Sequence, residues 1–575
     1  MSLFNVREWS NFRSSSVRRP WHWPAYAIQL VSLVYRRFSN SRSLRRQSQP
    51  HLGLKQRPEW LKPFDLRAGR SERTLSFPHY PVMPAVALSS LPGSPFLPDS
   101  TDPEAQLARH RWGNCLLATL VEGELATEAL SDVRTWLVKP PEKSDAAWET
   151  YSCCERVANL AVLMAARPGC RSLTNDEMLS AFFQSSAEWI ESRLEYYGMA
   201  RTNNHLLNNA RALVIAGHVL SNQAMLAEGL LIFARMSRAL FGESGYLRER
   251  SSHYQFVVAN WLFDVLHFAR ATEADCGAGA EALAELEILG QRVASATAKL
   301  IAVLGDLPTH IGDISPDAHP RWTVARLRLL YPERLVLSEP DFVEKDRWPM
   351  VRRGDCSLVA SPLPDFYPFD YASHGHQDLA GFIWVHQNQL LLVDAGRSSY
   401  AITDDAKFQC SPAAHNTLTI NALAPLSASL LDAGLWLPAT YAAAAIKARV
   451  EIDGFTIDHS GFSRIPGVGG HQRDVRMLAD GLTVRDEISG NAAVDIEIYW
   501  HFPPGFVPLG DGSVQGEGLS LEVMSDITEA TFNWQDYPFS KGYGEVLPAP
   551  MLTLKGRIDL PCTISTHFKV IPCAA

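Results

Sequence analysis

The sequence has little cysteine and no cysteine pattern that would build a metal finger or a disulfide framework. Its 575 residues include nine cysteines, and Cys153 and Cys154 are adjacent in the chain. Zinc ribbons and small disulfide-stapled folds use regularly spaced cysteine pairs, and no Cys-x-x-Cys pair occurs here. We therefore expect scattered thiols in the core of a larger protein.

The sequence also lacks an excess of positive charge and a long apolar run near its beginning. The formal net charge is −9, which does not point to nucleic acid as a partner. The apolar run at residues 23–35 has thirteen residues, whereas a helix that spans a bilayer needs roughly 20. No small-residue cleavage site follows this run, so we expect no signal peptide.

The first 50 residues differ in charge from the acidic remainder of the chain. They hold nine arginines and a single acid, Glu8. Because the apolar run lies inside this basic segment, we expect a short helix there. It either docks on the body of the protein or makes a peripheral contact with an anionic membrane surface.

Hydrophobic periodicity divides the rest of the chain into a helical part and a β part. From about residue 105 to 335, apolar residues recur three and four apart, as in stacked helical hairpins that form a solenoid or a closed ring. From residue 347 the period is two, which is typical of an antiparallel β-sandwich. Because helices precede strands, we predict a multidomain α+β protein with segments 1–75, 76–345 and 346–575.

Two polar groups in the helical part stand at predicted helix starts. Asn203, Asn204 and His205 begin a strongly helical segment, where an asparagine is a good N-cap. Tyr254 stands where a polar loop turns into an apolar helix, so it could be a packing tyrosine.

An aromatic and cationic set precedes these groups in the chain. Trp148, Tyr151 and Arg156 recur three to five residues apart on one helical stretch. Such a face could line a sugar groove, or it could be a salt-bridged face of the core.

The β part concentrates titratable residues near predicted strand ends. His376, Asp394 and His415 come from three successive strand-like pieces, and a sheet can present two nitrogens and a carboxylate to one Zn²⁺ in this way. The alternative is a polar network without a metal. Strand alternation would place His374 on the same face as His376.

Six motifs, taken in chain order, resemble those of the heparinase II/III-like polysaccharide lyase family. They are WETYSCCERVAN, NNHLLNNARALVIAG, ERSSHYQ, SHGHQDLAGF, LLVDAGRSSY and AAHNTLTIN, and they span roughly residues 100–480. The resemblance implies an incomplete (α/α) toroid followed by an antiparallel β-sandwich. It also implies eliminative cleavage of an acidic, uronic-acid-containing polysaccharide without an organic cofactor.

The resemblance also implies roles for individual residues. Asn204 and His205 match the family's Asn-His motif, Tyr254 its catalytic tyrosine, and His374 its catalytic histidine on the sheet. Asn204, alone or joined by His205, would neutralise the substrate carboxylate, and Tyr254 would protonate the departing oxygen. His205, His374 or an ionised Tyr254 would act as the base.

The remaining assignments concern metal, substrate and compartment. His376, Asp394 and His415 match a structural zinc site, and Trp148, Tyr151, Arg156 and Asn203 are the substrate-binding candidates. The chain departs from some members at Asn208 and Asn209, where those members carry an acid. The resemblance favours the bacterial periplasm or cell envelope, and the expected absence of a signal peptide keeps the cytoplasm as the alternative.

Two other functions remain as alternatives. A glycoside hydrolase can use a helical toroid, but it needs a pair of carboxyl groups across its cleft. A polysaccharide-binding or assembly protein without catalytic activity could also have this fold.

Overall fold

The computed structural model describes much of the predicted helical and β parts. The described residues are 75–78, 80, 101–113, 115, 124–143, 145–173, 175–196, 203–272, 278–305, 307, 309–317, 320–337, 341–364, 374–427, 445–510, 512–527 and 530–572. The basic segment and the expected helix at 23–35 lie outside these residues. In the part of the chain that is described, no helix has the length and apolar character needed to cross a membrane.

Helices fill the N-terminal part, as the periodicity predicts. They are α1 (Pro103–Ala108), α2 (Glu124–Val138), α3 (Thr150–Ala166), α4 (Asp176–Glu191), α5 (Asn204–Val219), α6 (Gln223–Leu240), α7 (Ser252–Arg270), α8 (Ala278–Leu304) and α9 (Pro320–Leu330), and a short α10 (Asp404–Gln409) follows within the β part. Helix α5 packs against α3, α6 and α7, and α8 packs against α6 and α7. Helices that are close in the chain are therefore also close in space.

Strands form the C-terminal part. They are β1 (Phe342–Glu344), β2 (Met350–Arg353), β3 (Cys356–Ala360), β4 (Phe382–His386), β5 (Gln389–Leu392), β6 (Leu418–Ile420), β7 (Ile446–Glu451), β8 (Gly454–His459), β9 (Val468–Leu478), β10 (Gly481–Gly490), β11 (Ala493–His501), β12 (Val507–Gly510), β13 (Ser513–Gln515), β14 (Leu519–Ser525), β15 (Thr531–Gly542), β16 (Glu545–Asp559) and β17 (Cys562–Pro572). The first strand begins at Phe342, a few residues before the predicted boundary. The three-segment division itself stays a prediction.

The described strands pair antiparallel in three sheets. The sheet orders are β1-β2-β3-β4-β5, then β12-β13-β14-β17-β10-β9-β8-β7, and β15-β16-β11-β6. One ring from each sheet meets in the core, because Phe568 lies 6.0 Å from Trp384 and 5.0 Å from Trp500 between ring centroids. The predicted order of a helical toroid followed by an antiparallel β-sandwich is confirmed.

The helical core continues into the β part. Val359, Ile383 and Met551, from three different strands, belong to the same buried apolar cluster as the helices. Burying this surface fixes the loops of the sheets against the helix starts. Residues from both parts can therefore meet in one site.

A buried ion pair ties the loops near the site to the sandwich. Arg473 on β9 donates through Nε and Nη2 to the two carboxylate oxygens of Asp486, at 2.7 and 2.9 Å. Its Nη1 donates to the carbonyl oxygens of Ala380 and Asn416, at 3.1 and 2.7 Å. Asn416 directly follows His415, so this arginine holds two site-bearing loops at once.

We expect Asp486→Asn to destabilise the fold, because it leaves the buried charge of Arg473 without a countercharge. The expected loss in the free energy of unfolding is about 3–5 kcal/mol at neutral pH. Burial acts to raise the pKa of Asp486, but Arg473 and His471 outweigh it and lower this pKa. The stabilisation is thus present above the unfolded value of about 3.9 and is lost as the pH falls further. Urea unfolding at several pH values measures the difference.

The matched control is Asp495→Asn. Asp495 pairs with Arg557, and both side chains are 67% exposed, so its loss should leave the free energy of unfolding unchanged. Equal effects of the two substitutions would contradict the role given to Asp486.

Candidate active site

Residues from the helical and β parts form one cluster. Asn204 begins α5, Tyr254 lies in the first turn of α7, and His374 lies in the loop before β4. The Nδ2 atom of Asn204 is 3.3 Å from Nε2 of His374. The Tyr254 ring stacks on the His374 ring with 3.7 Å between centroids and 7° between planes. The structure therefore brings together three of the four predicted catalytic residues, and His205 is adjacent to Asn204.

Side-chain caps fix both helix starts. The Asn203 side chain accepts a hydrogen bond from the backbone N–H of His205 at 3.1 Å, and Ser251 Oγ accepts one from that of Tyr254 at 3.1 Å. Such caps satisfy N–H groups that a helix leaves unpaired. Asn203 is thus an N-cap, and its predicted contact with substrate stays a prediction.

Glu249 sets the orientation of Asn204. Its carboxylate accepts from the backbone N–H of Asn204 at 3.0 Å and from Nδ2 of Asn204 at 2.7 Å. Glu249 is fully buried, so these hydrogen bonds do not compete with water. Glu249 was not among the predicted site residues, although it is the first letter of the ERSSHYQ motif.

His205 is a cation at neutral pH. Its Nδ1 lies 2.8 Å from Oε1 of Glu195. Burial acts to lower the pKa of His205, but the charge of Glu195 raises it to about 9. A protonated imidazole cannot accept a proton, so this pKa does not favour His205 as the base at neutral pH. Its side chain is 35% exposed and can meet an anionic ligand.

A buried acid, Glu195, lies next to the His205 side chain and is held by Asn209. Asn209 holds it by accepting from the Glu195 backbone N–H at 2.8 Å and by donating Nδ2 to its carboxylate at 3.0 Å. The acid thus comes from the segment that precedes α5, and the asparagine orients it.

Tyr400, which was not among the predicted site residues, joins the cluster. Its hydroxyl lies 3.1 Å from the hydroxyl of Tyr254 and 3.3 Å from Nδ1 of His374. Burial raises the pKa of Tyr254 and of Tyr400 well above the usual value of about 10. Tyr254 therefore keeps its proton at neutral pH, which fits a proton donor and disfavours an ionised Tyr254 as the base.

Asp313, in the loop between α8 and α9, accepts hydrogen bonds from the β part. Its Oδ2 lies 3.1 Å from Nδ1 of His374, and its Oδ1 lies 2.9 Å from Nε2 of His376. Arg397 Nη1 donates to both oxygens, at 2.9 and 3.1 Å. His374 and His376 thus face the same carboxylate, but strand alternation is not the reason, because residues 374–381 contain no strand. The two oxygens of one carboxylate orient both histidines instead.

His376, Asp394 and His415 converge as predicted. One ligand atom of each lies within 4.8 Å of the others, and His415 Nδ1 is 2.7 Å from Oδ2 of Asp394. Nδ1 of His376 and Nε2 of His415 are buried and have no hydrogen-bond partner among the described residues. Such orphaned ring nitrogens fit a metal ion. These residues could therefore hold one.

A second set of potential ligands, Asp313, His376 and Cys410, shares His376 with the first. Here Arg397 already donates to both oxygens of Asp313. A cation at this position would face a guanidinium, so the charges favour the set that contains Asp394.

Arg156, one of the substrate-binding candidates, lies in the interior. Arg156 is fully buried, its guanidinium lies over the rings of Trp112, Trp136 and Trp148, and its Nη1 donates to the carbonyl of His110 at 2.7 Å. It cannot reach a polysaccharide, so its predicted place in a sugar groove is wrong. The reason is that the guanidinium packs against three tryptophan rings and donates to a backbone carbonyl inside the core.

Trp148 and Tyr151 differ in their distance from the cluster. Trp148 is buried against Trp189, with 5.4 Å between ring centroids. Tyr151 is also buried, but its ring centroid lies 4.8 Å from that of His205. Tyr151 therefore supports His205, and its predicted contact with substrate stays a prediction.

Comparison with known proteins gives two kinds of likeness. Residues 360–540 match the family model described as Heparinase II/III-like, C-terminal. The chain is similar to the crystal structure of heparinase III, with a TM-score of 0.61 and 14% identity over 83% of this chain and 79% of that one. No curated protein sequence matches it. The resemblance read from the six motifs is confirmed.

Two further solved structures share the fold. Heparinase III, the BT4657 gene product, has a TM-score of 0.55 and 16% identity over 83% of this chain and 81% of that one. Heparan sulfate lyase HepC from Pedobacter heparinus has a TM-score of 0.50 and 14% identity over 84% of this chain and 79% of that one. At this level of identity the likeness establishes the architecture.

We expect Glu195→Gln to lower the pKa of His205 from about 9 to below 6.5, because the attraction is lost while burial continues to favour the neutral ring. Histidine NMR titration measures this pKa. The control is Glu177→Gln on the exposed start of α4, which should leave it unchanged. A pKa that stays near 9 in Glu195→Gln would show that another group holds the charge.

Proposed function

We propose that the protein is a polysaccharide lyase that cleaves uronic-acid-containing polysaccharides by β-elimination. The observation that carries this proposal is the stacked pair of Tyr254 and His374, a proton-bearing phenol beside an imidazole, with the Asn204 amide in contact. The names of the similar structures, heparinase III and heparan sulfate lyase, support the same class of reaction. An acidic polysaccharide would be the substrate.

The first requirement of this chemistry is to quench a charge. The proton on C5 of a uronate lies next to a carboxylate, so a carbanion there is strongly disfavoured. His205, which carries a positive charge at neutral pH, and the amide of Asn204 would offset the carboxylate charge as it spreads in the transition state. Glu249 holds the amide in place for this step.

The second requirement is a base and an acid. His374 would take the C5 proton, and the C5–H electron pair would form the C4–C5 double bond as the C4–O bond breaks. Tyr254 would give its phenolic proton to the departing oxygen. His205 is not the base in this scheme because it is already protonated, and Tyr254 is not the base because its pKa is raised.

A glycoside hydrolase is less well supported. It needs one carboxyl group with a raised pKa as its acid. Burial acts to raise the pKa of Asp313 and of Glu195, but Arg397 at the first and His205 at the second lower it. Glu249 is fully buried and already accepts two hydrogen bonds from Asn204.

The test is to incubate the purified protein with a panel of uronate polymers and to follow absorbance of the 4,5-unsaturated product in the low ultraviolet. We expect product with at least one polymer, and Tyr254→Phe should lower kcat by about 10²- to 10⁴-fold because it removes only the donated proton. New reducing ends without the absorbance would indicate a hydrolase.

The control for Tyr254→Phe is Tyr499→Phe. The Tyr499 hydroxyl bonds Glu497 and Thr419 on the sandwich, away from the cluster, so this variant should keep wild-type kcat. Retention of more than about a tenth of the rate in Tyr254→Phe would remove the acid role from this tyrosine.

The His376, Asp394 and His415 set would hold a structural zinc ion. Imidazole nitrogens and carboxylate oxygens are common zinc ligands, so these three side chains would hold the ion. Asp394 follows β5 and His415 precedes β6, so an ion there would cross-link two loops beside the cluster.

We expect about one zinc per chain in protein purified without chelator, and we expect chelation to lower Tm because the metal binds the folded state. Elemental analysis and thermal unfolding measure both. His415→Ala should lose the metal, whereas the control His567→Ala, at an exposed position on β17, should keep it. Less than about 0.2 zinc per chain, with no change in Tm for His415→Ala, would indicate a polar network without metal.

A further inference from the structure

The loop between α8 and α9 contacts His374 through both its backbone and a side chain. The backbone N–H of Asp313 donates to the carbonyl oxygen of His374 at 3.0 Å. The preceding residue, Gly312, has a φ of +76°, and a Cβ there would lie 2.6 Å from the same carbonyl oxygen. Glycine is therefore required for this close approach. Backbone contacts alone therefore hold this loop against His374.

The Asp313 carboxylate faces Nδ1 of His374. Nη1 of Arg397 donates to both oxygens of this carboxylate, at 2.9 and 3.1 Å, so a guanidinium pairs with it. An ionised carboxylate can only accept hydrogen bonds. Nδ1 of His374, at 3.1 Å from Oδ2, therefore carries a proton.

A second contact, at Nε2 of His374, indicates the same tautomer of the ring. Nδ2 of Asn204 is identified as the amide donor because it also faces the Glu249 carboxylate at 2.7 Å. At 3.3 Å from Nε2 of His374, this amide can only donate, so Nε2 presents its lone pair. Both contacts thus favour the Nδ1–H tautomer of the ring over the Nε2–H tautomer.

We propose that Asp313 is a positioning residue that fixes His374 in the Nδ1–H tautomer, so that Nε2 is the nitrogen that takes the substrate proton. The role of Nε2 as base rests on the proposed lyase function, whereas the tautomer does not. A carboxylate that accepts from Nδ1–H sets the tautomer of a catalytic histidine in the same way in serine proteases.

The same carboxylate joins this histidine to the candidate metal site. Oδ1 of Asp313 lies 2.9 Å from Nε2 of His376, which leaves Nδ1 of His376 as the nitrogen without a partner among the described residues. Carboxylates that orient a ligand histidine in this way are common around metal ions. Asp313 therefore holds the proton-accepting ring and a ligand ring in a fixed relation.

The experiment compares the wild-type full chain with Asp313→Asn by ¹⁵N NMR of labelled histidine, with the His374 signal assigned through its absence in His374→Gln. We expect the Nδ1–H form in the wild type. The substituted amide would have only one acceptor oxygen for two histidines and Arg397, so the Nε2–H form should appear. We also expect kcat to fall about 10²-fold or more with little change in KM.

The controls separate this role from general damage. Asp346→Asn removes a carboxylate that bonds Ser244, away from the cluster, and it should change neither the tautomer nor kcat. Asp313→Glu keeps a carboxylate and should retain more of the Nδ1–H form and more activity than Asp313→Asn. An unchanged tautomer in a folded Asp313→Asn protein would overturn the proposal.

The NMR measurement of the tautomer decides the proposal even if the wild type has no lyase activity or Asp313→Asn does not fold. If Asp313→Asn does not fold, the wild-type spectrum alone decides, because an Nε2–H form of His374 there would overturn the proposal. If the wild type shows no lyase activity but loses the Nδ1–H form in Asp313→Asn, the positioning role stands and the proposed function fails.

Discussion

An ionised carboxylate is costly to bury unless cations and N–H groups surround it, and this constraint organises the cluster. Asp313, Glu249 and Glu195 are all buried, and each is satisfied by groups from a different segment of the chain. Satisfying Asp313 requires Arg397 and two histidines of the β part to meet a loop of the helical part. The site is thus assembled by the same contacts that satisfy these buried carboxyl groups.

Each buried acid gives its partner a different property. Glu195 keeps a proton on His205, Asp313 orients His374, and Glu249 orients the Asn204 amide. The residues that would touch substrate therefore depend on partners that would not touch it. A substitution among the acids should alter charge or orientation without removing any group that reacts.

The sequence predicted the architecture and several members of the cluster, but it did not predict the buried residues that contact them. Periodicity distinguishes helices from strands because side chains repeat at 3.6 or 2 positions, and the motifs marked Asn204, Tyr254 and His374. Asp313 and Tyr400 were missed because their contacts with His374 cross 61 and 26 residues of chain, and Glu195 was missed because no sequence pattern shows that it faces His205. The prediction for Arg156 was wrong because an arginine near aromatic residues gives the same sequence pattern in a binding groove and in a core. Only its burial distinguishes the two.

The positions of Asn204 and Tyr254 have a consequence for how far the sequence can diverge. Both lie in the first turn of a helix, next to a capping side chain that fixes where the helix begins. Substitutions further along α5 or α7 can change the packing of the helix body while its first turn stays in place. A scaffold that anchors reactive side chains at helix starts can therefore exchange most of its interior and keep the same geometry, which fits a shared fold at 14% identity.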